Sequence, residues 1–208
     1  IEMAINSLKR GAFEFIEKPF DQTRLLNFIS RAVENLTLKS QNKEFENKLF
    51  SSYDLIGDSK NISSIRDQIN KISITESRIM ITGPSGSGKE LIARKIHKKS
   101  KRNNKPFIIL NGALLDAGKY ELELFGEEKD NGSLSYGALE KANQGTLLID
   151  QVSEIPLEIQ SKILRVLIDQ KFKRINGNND INVDVRLICS SSKDLNEEIK
   201  NGNFREDL

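Results

Sequence analysis

One segment limits this chain to few folds: Arg78 to Ser100, reading RIMITGPSGSGKELIARKIHKKS. Arg78 to Thr82 carries β-branched and apolar residues and predicts a strand, while Leu91, Ile92, Lys95 and Ile96 recur at helical spacing. Between them Gly83, Pro84, Ser85, Gly86, Ser87 and Gly88 exclude regular structure. Lacking a β-carbon, Gly83, Gly86 and Gly88 let the backbone curl into a nest of N–H groups. The following helix turns the positive end of its dipole to the same point. Lys89 stands at the mouth of the nest, where an ammonium can reach outer phosphates. Strand, glycine loop and helix in this order predict a nucleoside triphosphate site, with a ligand-free Gly/Ser turn as the alternative. Glu90 occupies the place where the general pattern has Ser or Thr for Mg²⁺.

A second segment complements the first. GTLLIDQV, Gly145 to Val152, predicts a buried strand that delivers Asp150 at its carboxyl end, the place for a carboxylate that holds Mg²⁺ through its waters. Many strands end in Asp, so the signal gains weight only beside the glycine loop. Further core strands are predicted at Phe107 to Leu110, with Asn111 at its end, and over Val183, Val185, Leu187, Ile188 and Cys189.

Composition excludes several classes. With 208 residues, 37% hydrophobic and 30% charged, the chain suits a globular protein of one domain, or one domain and part of another. A net charge of +2 makes no electrostatic case for nucleic-acid binding by this stretch. No apolar run approaches the ~18 residues of a membrane span, and no secretory signal opens the chain, so no membrane partner and a cytoplasmic location are expected. Cys189 cannot form an internal disulfide and is expected in the core. His97, the one histidine, ends the loop's helix with no Cys or second His beside it and is expected at the surface or the helix terminus rather than on a metal.

Before the glycine loop the pattern runs helix, strand, helix. Met3, Ala4, Ile5 and Leu8 recur at helical spacing up to Gly11; Ala12 to Ile16 predicts a short strand closed by Lys18-Pro19. Asp21 is a plausible N-cap for a helix carrying Leu25, Phe28, Ile29, Ala32, Val33 and Leu36. GAFEFIEKPF resembles the end of the flavodoxin-like receiver domain of bacterial two-component response regulators, covering about its last third. The resemblance implies that Lys18 contacts an acyl phosphate, that the Pro19 peptide is cis and that Phe15 shifts with activation. The phosphoacceptor Asp would lie before residue 1. From Thr37 to Lys48 the sequence turns polar; it reads either as a helix pairing with a partner or as a solvated linker.

DLIGDSKNISSIRDQINKI, residues 54 to 72, turns at Gly57-Asp58 and continues as a helix through Ile62, Ile65, Ile69 and Ile72. Leu55, Ile56 and Gly57 resemble the segment lining the adenine pocket in AAA+ ATPases of the bacterial enhancer-binding class, and GPSGSGKELIARKIH resembles that class closely, Glu90 included. ELELFG, Glu121 to Gly126, matches again. The loop after it then lacks the GAFTGA hexapeptide with which such proteins grip the σ54 form of RNA polymerase; it carries Gly132 to Tyr136 in a shortened loop. That absence is the trait of the NtrX-like branch, which the chain resembles most. It argues against a σ54 contact, while RNA polymerase as a partner stays open.

From the same resemblance Asn111 would couple nucleotide state to the catalytic carboxylate, Ser192 stands where a γ-phosphate-sensing Asn is common, and Arg205 in NFREDL matches an arginine reaching into a neighbouring subunit's site. Gln151 stands where the family has the Glu that polarises the attacking water. An amide cannot take a proton at neutral pH, and loss of a general base typically costs ~10²- to 10⁴-fold in rate. Glu154 is the one substitute base, although it is expected to cap or line the helix that begins near Pro156. That helix, in the segment Pro156 to Gly177, carries Ile159, Ile163, Leu164, Val166 and Leu167 and is ended by a turn and a short hairpin rising toward DINVDVRLICSS, Asp180 to Ser191.

The expected architecture is α/β. Residues 1–36 form the end of a receiver domain, 37–53 a linker helix, and 54–208 an AAA+ σ54-interaction-type ATPase domain continuing past Leu208 toward a lid and a DNA reader. ATP and Mg²⁺ are the expected cofactors. A cognate sensor histidine kinase, self-association as a dimer or ring, and DNA through a domain outside this chain are the expected partners. The preferred mechanism is nucleotide- and phosphorylation-controlled assembly at DNA with weak or absent hydrolysis. Its alternatives are an active ATPase that remodels σ54 RNA polymerase and a truncated, non-functional remnant.

Overall fold

The structure, a computed structural model, describes residues 21–23, 25–34, 36–37, 55–114, 118–129 and 132–208. It divides into two compact units, Ile1–Asp54 and Leu55–Leu208. The expectations for residues 1–20, Lys18, Phe15 and the Pro19 peptide among them, and for most of the linker lie outside the described residues.

In the first unit residues 22–23, 25–34 and 36–37 are helical, and the Asp21 carboxylate accepts the Thr23 N–H at 3.3 Å, as an N-cap does. Leu25, Phe28 and Ala32 are partly covered, whereas Leu26, Ile29, Val33 and Leu36 are exposed.

The second unit is built on four parallel strands: β1 (Ile79–Thr82), β2 (Phe107–Asn111), β5 (Thr146–Asp150) and β8 (Arg186–Ser191), in the order β1-β8-β5-β2. These runs (IMIT, FIILN, TLLID, RLICSS) are apolar on both faces because helices cover both. On one face Ile81, Leu148 and Ile188 pack with Ile69 of α1 (Lys60–Ser73) and with Ala93 and Ile96 of α2 (Lys89–Lys98). On the other, Leu147, Ile149 and Leu187 meet Leu124 of α3 (Tyr120–Phe125), Leu139 of α4 (Ala138–Lys141) and Ile159, Ile163 and Val166 of α5 (Leu157–Asp169).

α1 follows the Gly57-Asp58 turn as expected and starts at Lys60, because the Ser59 hydroxyl accepts the Ile62 N–H and supplies the cap. Other boundaries differ from the sequence reading. α5 stops at Asp169, where Gln170 turns left-handed and bonds back to Val166. Leu164 and Leu167 are only partly buried there. The residues that follow split into β6 (Lys171–Phe172) and β7 (Ile181–Asn182), which pair antiparallel, so Val183 and Val185 precede β8 rather than join it. The shortened loop after α3 is an antiparallel pair, β3 (Gly126–Glu128) with β4 (Leu134–Tyr136). It is tied to the neighbouring hairpin where the Glu128 N–H donates to Ile175 O at 2.9 Å and the Ile175 N–H to Gly126 O at 3.0 Å. Arg174 adds a two-pronged bond to Glu140 at 2.5 and 3.0 Å, and its guanidinium lies 5.3 Å from the centre of the Tyr136 ring.

Cys189 is buried as expected, and burial pushes its thiol up to about 12. His97 is not on the surface: it is 3% exposed, its Nδ1 lies 2.8 Å from Thr146 Oγ1 and its ring tilts against Phe107. The sequence reading gave weight to its polarity and helix-end position; the structure uses it as a neutral pin between α2 and β5. Desolvation by burial lowers its pKa to about 4 from 6.5. The unfolded chain therefore binds a proton that the folded chain refuses. This contribution is complete above pH 6.5 and is lost as pH falls toward 4, at most about 3 kcal/mol by linkage. Exchanging His97 for Asn is expected to flatten the dependence of the melting temperature on pH between about 6.5 and 4. An unchanged slope would remove His97 as its source.

Candidate functional site

Four parallel strands put four loops along one edge. Register brings Thr82 beside Ser191, Ile81 beside Ser190, Ile149 beside Cys189, and Asn111 beside Asp150. The glycine loop, the Ser190–Ser192 turn, the Asp150-Gln151 step and Asn111 therefore line the carboxyl ends of consecutive strands, the edge where open α/β sheets hold ligands. With strands about 4.8 Å apart, β1 and β5 on either side of β8 are about 10 Å from each other. A phosphate chain can bridge that span.

The glycine loop takes the shape that its sequence demands. Gly86 and Gly88 adopt φ of 76° and 87°, a left-handed region that side-chain-bearing residues rarely enter. A Cβ placed on Gly86 would meet nothing within 4 Å, so the concavity there is open. The loop is tied to the sheet by the Gly83 N–H, which donates to Ser191 O at 3.2 Å, and closed by the Ser87 N–H bond to Pro84 O. Lys89 opens α2 and is 7% exposed; its Nζ donates to Gly83 O and Pro84 O, both at 2.9 Å. The ammonium is thus folded onto the rim of the nest. Left-handed glycines, a helix N-terminus and an inward-held cation together fit a polyphosphate. Glu90, in the first turn of α2, pairs with Arg94 at 2.7 Å and takes the favourable acidic position at the helix start.

Asp150 ends β5, and the Ser190 hydroxyl donates to its Oδ1. One carboxylate oxygen is so oriented, and among the described residues no donor holds the other. Among the described residues no cluster of three or more His, Cys, Asp or Glu could hold a metal by protein ligands alone.

Gln151 leaves the strand in a left-handed conformation, φ 56° and ψ 53°, and opens a 3₁₀ turn over Val152–Glu154. Its Oε1 accepts the Ser192 N–H at 3.1 Å and the Ser192 hydroxyl at 2.8 Å. Asn111 lies in register with Asp150, yet its Oδ1 caps its own turn by accepting the Ala113 N–H at 2.9 Å. Glu154 does not cap α5. It sits in the 3₁₀ turn ahead of that helix and is held by Lys193 at 2.9 Å. Ile56 is 90% exposed next to Gly57, while Leu55 packs on the α1–α2 side of the core and accepts Arg66 at 2.6 Å. Arg205 lies beyond α6 (Leu195–Lys200), bonded to Asp207 at 2.6 and 2.8 Å and to the Ser161 hydroxyl at 2.9 Å.

Two contributors were not legible beforehand. Ser190 reads as one of three consecutive serines, and only strand register turns it toward Asp150. Gly112 lies so close to the site that a Cβ would stand 2.5 Å from Gln151 O; the Asn-Gly pair at a strand end was its one signal.

Comparison with known proteins agrees with this geometry. The model of the Sigma-54 interaction domain family matches residues 55–208. The nitrogen assimilation regulatory protein NtrX of Azorhizobium caulinodans is 44% identical over all of this chain and 46% of its own length. Among solved structures, NtrX from Brucella abortus in complex with ATP aligns with a TM-score of 0.76 at 45% identity, covering all of this chain and 47% of that one. NtrX from the same organism in complex with ADP aligns at 0.77 and 44%, again over all of this chain and 47% of that one. The chain thus spans about half the length of the relatives it matches.

Proposed function

The chain belongs to the Sigma-54 interaction domain family, and from that premise we propose that it is the nucleotide-binding part of an NtrX-like two-component transcriptional regulator. The carrying observation is the shared edge: the Gly83–Lys89 cradle, Asp150, Gln151 and Ser192 end neighbouring parallel strands. Solved relatives that hold ATP and ADP support the same reading.

In this proposal the Gly86 and Gly88 backbone and Lys89 hold the phosphates of ATP, Asp150 anchors Mg²⁺ through its waters, and Ile56 and Gly57 cover the base. The exposure of Ile56 fits a side chain that a flat aromatic ligand would bury. Mg²⁺ would neutralise the outer phosphates. With Gln151 in the base position the protein binds ATP and turns it over slowly or not at all, acting through assembly at DNA. Residues 1–36 belong to a receiver controlled by a sensor kinase, 37–53 to a linker, and 54–208 to the ATPase-type domain. Self-association brings Arg205 of one copy toward the site of another, and a domain outside this chain reads DNA.

A second reading, an ATPase that remodels σ54 RNA polymerase, has the family description in its favour. Against it stand Gln151 and the β3–β4 hairpin, which is stitched to Ile175 where a mobile gripping loop would be needed.

Titration calorimetry of the full-length protein with ATP and Mg²⁺, beside a steady-state hydrolysis assay, separates the readings. Binding without appreciable turnover is expected. Lys89→Ala is expected to weaken ATP at least tenfold, the worth of charge-assisted phosphate bonds, with the fold retained by circular dichroism. Unaltered affinity in that variant would overturn the cradle assignment.

A further inference from the structure

The Gln151–Ser192 contact fixes more than a rotamer. A backbone N–H can only donate, so the side-chain atom of Gln151 facing Ser192 N at 3.1 Å must be the amide oxygen. The Ser192 hydroxyl, 2.8 Å from the same oxygen, adds a second donor. Both acceptor directions of the oxygen are then occupied, and among the described residues no acceptor takes the amide hydrogens. The clamp is itself held. Ser191 Oγ accepts the Lys193 N–H at 3.1 Å, donates to Lys193 O at 2.9 Å and touches Ser153 Oγ at 3.2 Å, while the Glu154 N–H bonds to Gln151 O. The left-handed backbone at Gln151 is strained and persists because these bonds over-determine it.

We propose that Ser192 is a positioning residue that makes Gln151 a fixed hydrogen-bond donor, so that this position recognises the terminal phosphate of a nucleoside triphosphate instead of activating water. The proposal rests on the nucleotide-binding reading above and deepens it. A free glutamine presents either polarity; one whose oxygen is consumed presents only N–H. Phosphate oxygens take such donors, and a diphosphate lacks the outermost set. The device therefore discriminates ATP from ADP without chemistry. Ser192 and Gln151 also belong together: a carboxylate at 151 would accept the same two bonds but offer no donor to the ligand.

The test is the ratio of ATP to ADP affinity, measured by calorimetry on the full-length protein with Mg²⁺. The wild type is expected to prefer ATP. Ser192→Ala should reduce that preference about fivefold, the worth of one hydrogen bond, with ADP affinity unchanged. Ser192→Thr, which keeps the hydroxyl, should restore it, and Gln151→Leu should reduce it at least as far as Ser192→Ala. An unchanged ratio in Ser192→Ala, or an equal loss for both nucleotides, overturns the positioning role. Failure of the wild type to bind either nucleotide overturns the nucleotide reading, and this inference with it.

Discussion

Exchange of Gln151 for Glu is expected to raise steady-state ATP hydrolysis by roughly 10²-fold, the lower end of the range that a general base contributes. The surrounding groups remain in place: the cradle holds Lys89 on its rim, and Ser190 orients Asp150. In the proposed reading the wild type lacks a proton acceptor at 151, where the amide oxygen is already committed to Ser192. A carboxylate at 151 would receive the same donors. They favour its charged form and lower its basicity, which keeps the gain at the lower end. Glu154 offers no substitute because Lys193 holds it; Glu154→Gln should leave turnover as it is. The measurement is phosphate release at saturating ATP for the wild type and both variants. A wild-type rate already near the ~10 s⁻¹ typical of enzymes would sink the argument, as would a Gln151→Glu variant no faster than its parent.

The glycine loop, its strand and helix, the strand ending in Asp150 and the family resemblance were legible because each is local. Glycine spacing, an apolar run and a terminal carboxylate all sit within a few residues. The missing parts depend on register. No pattern in CSSS says that Ser190 turns to Asp150, Ser191 inward to Ser153 and Ser192 to Gln151; β5–β8 pairing decides it. The end of α5 moved for a similar reason, since the Gln170 N–H settles it by one bond to Val166 O. His97 does lie in the last turn of its helix, one of the two places expected; the surface alternative failed because Thr146, three residues before Ile149 on β5, gives it a partner inside.

Arg186→Ala is expected to cost about 3–5 kcal/mol of folding stability, the largest structural effect of any substitution considered. Arg186 begins β8 and is 2% exposed, with no carboxylate bonded to it among the described residues. Its guanidinium instead donates to Ile72 O at 2.7 Å and Ser73 O at 3.2 Å, the last carbonyls of α1, where the helix dipole favours a cation. Burial lowers its pKa, with Glu76 raising and Arg102 lowering it further, yet an arginine stays charged. Nε is left without a partner. Truncation empties a large buried volume and takes a charged donor from two helix-end carbonyls, of which Ile72 O keeps only the neutral Thr75 N–H and hydroxyl, losses of the size seen when one partner of a buried charged interaction is removed. Lys at this position can reach one carbonyl but not both, so Arg186→Lys should fall between Ala and wild type. Denaturant unfolding of the full-length protein checks the series, and an Ala variant within 1 kcal/mol of wild type would refute it. The consequence extends to the ligand edge. α1 carries Arg66, which holds Leu55 O beside Ile56 and Gly57, and packs Ile69 into the same cluster as Ile96 of the helix that Lys89 opens. Arg186 therefore stands at one end of β8 while Ser190 and Ser191 stand at the other. Loosening α1 through Arg186 should weaken ATP and ADP equally, whereas Ser192→Ala changes only their ratio.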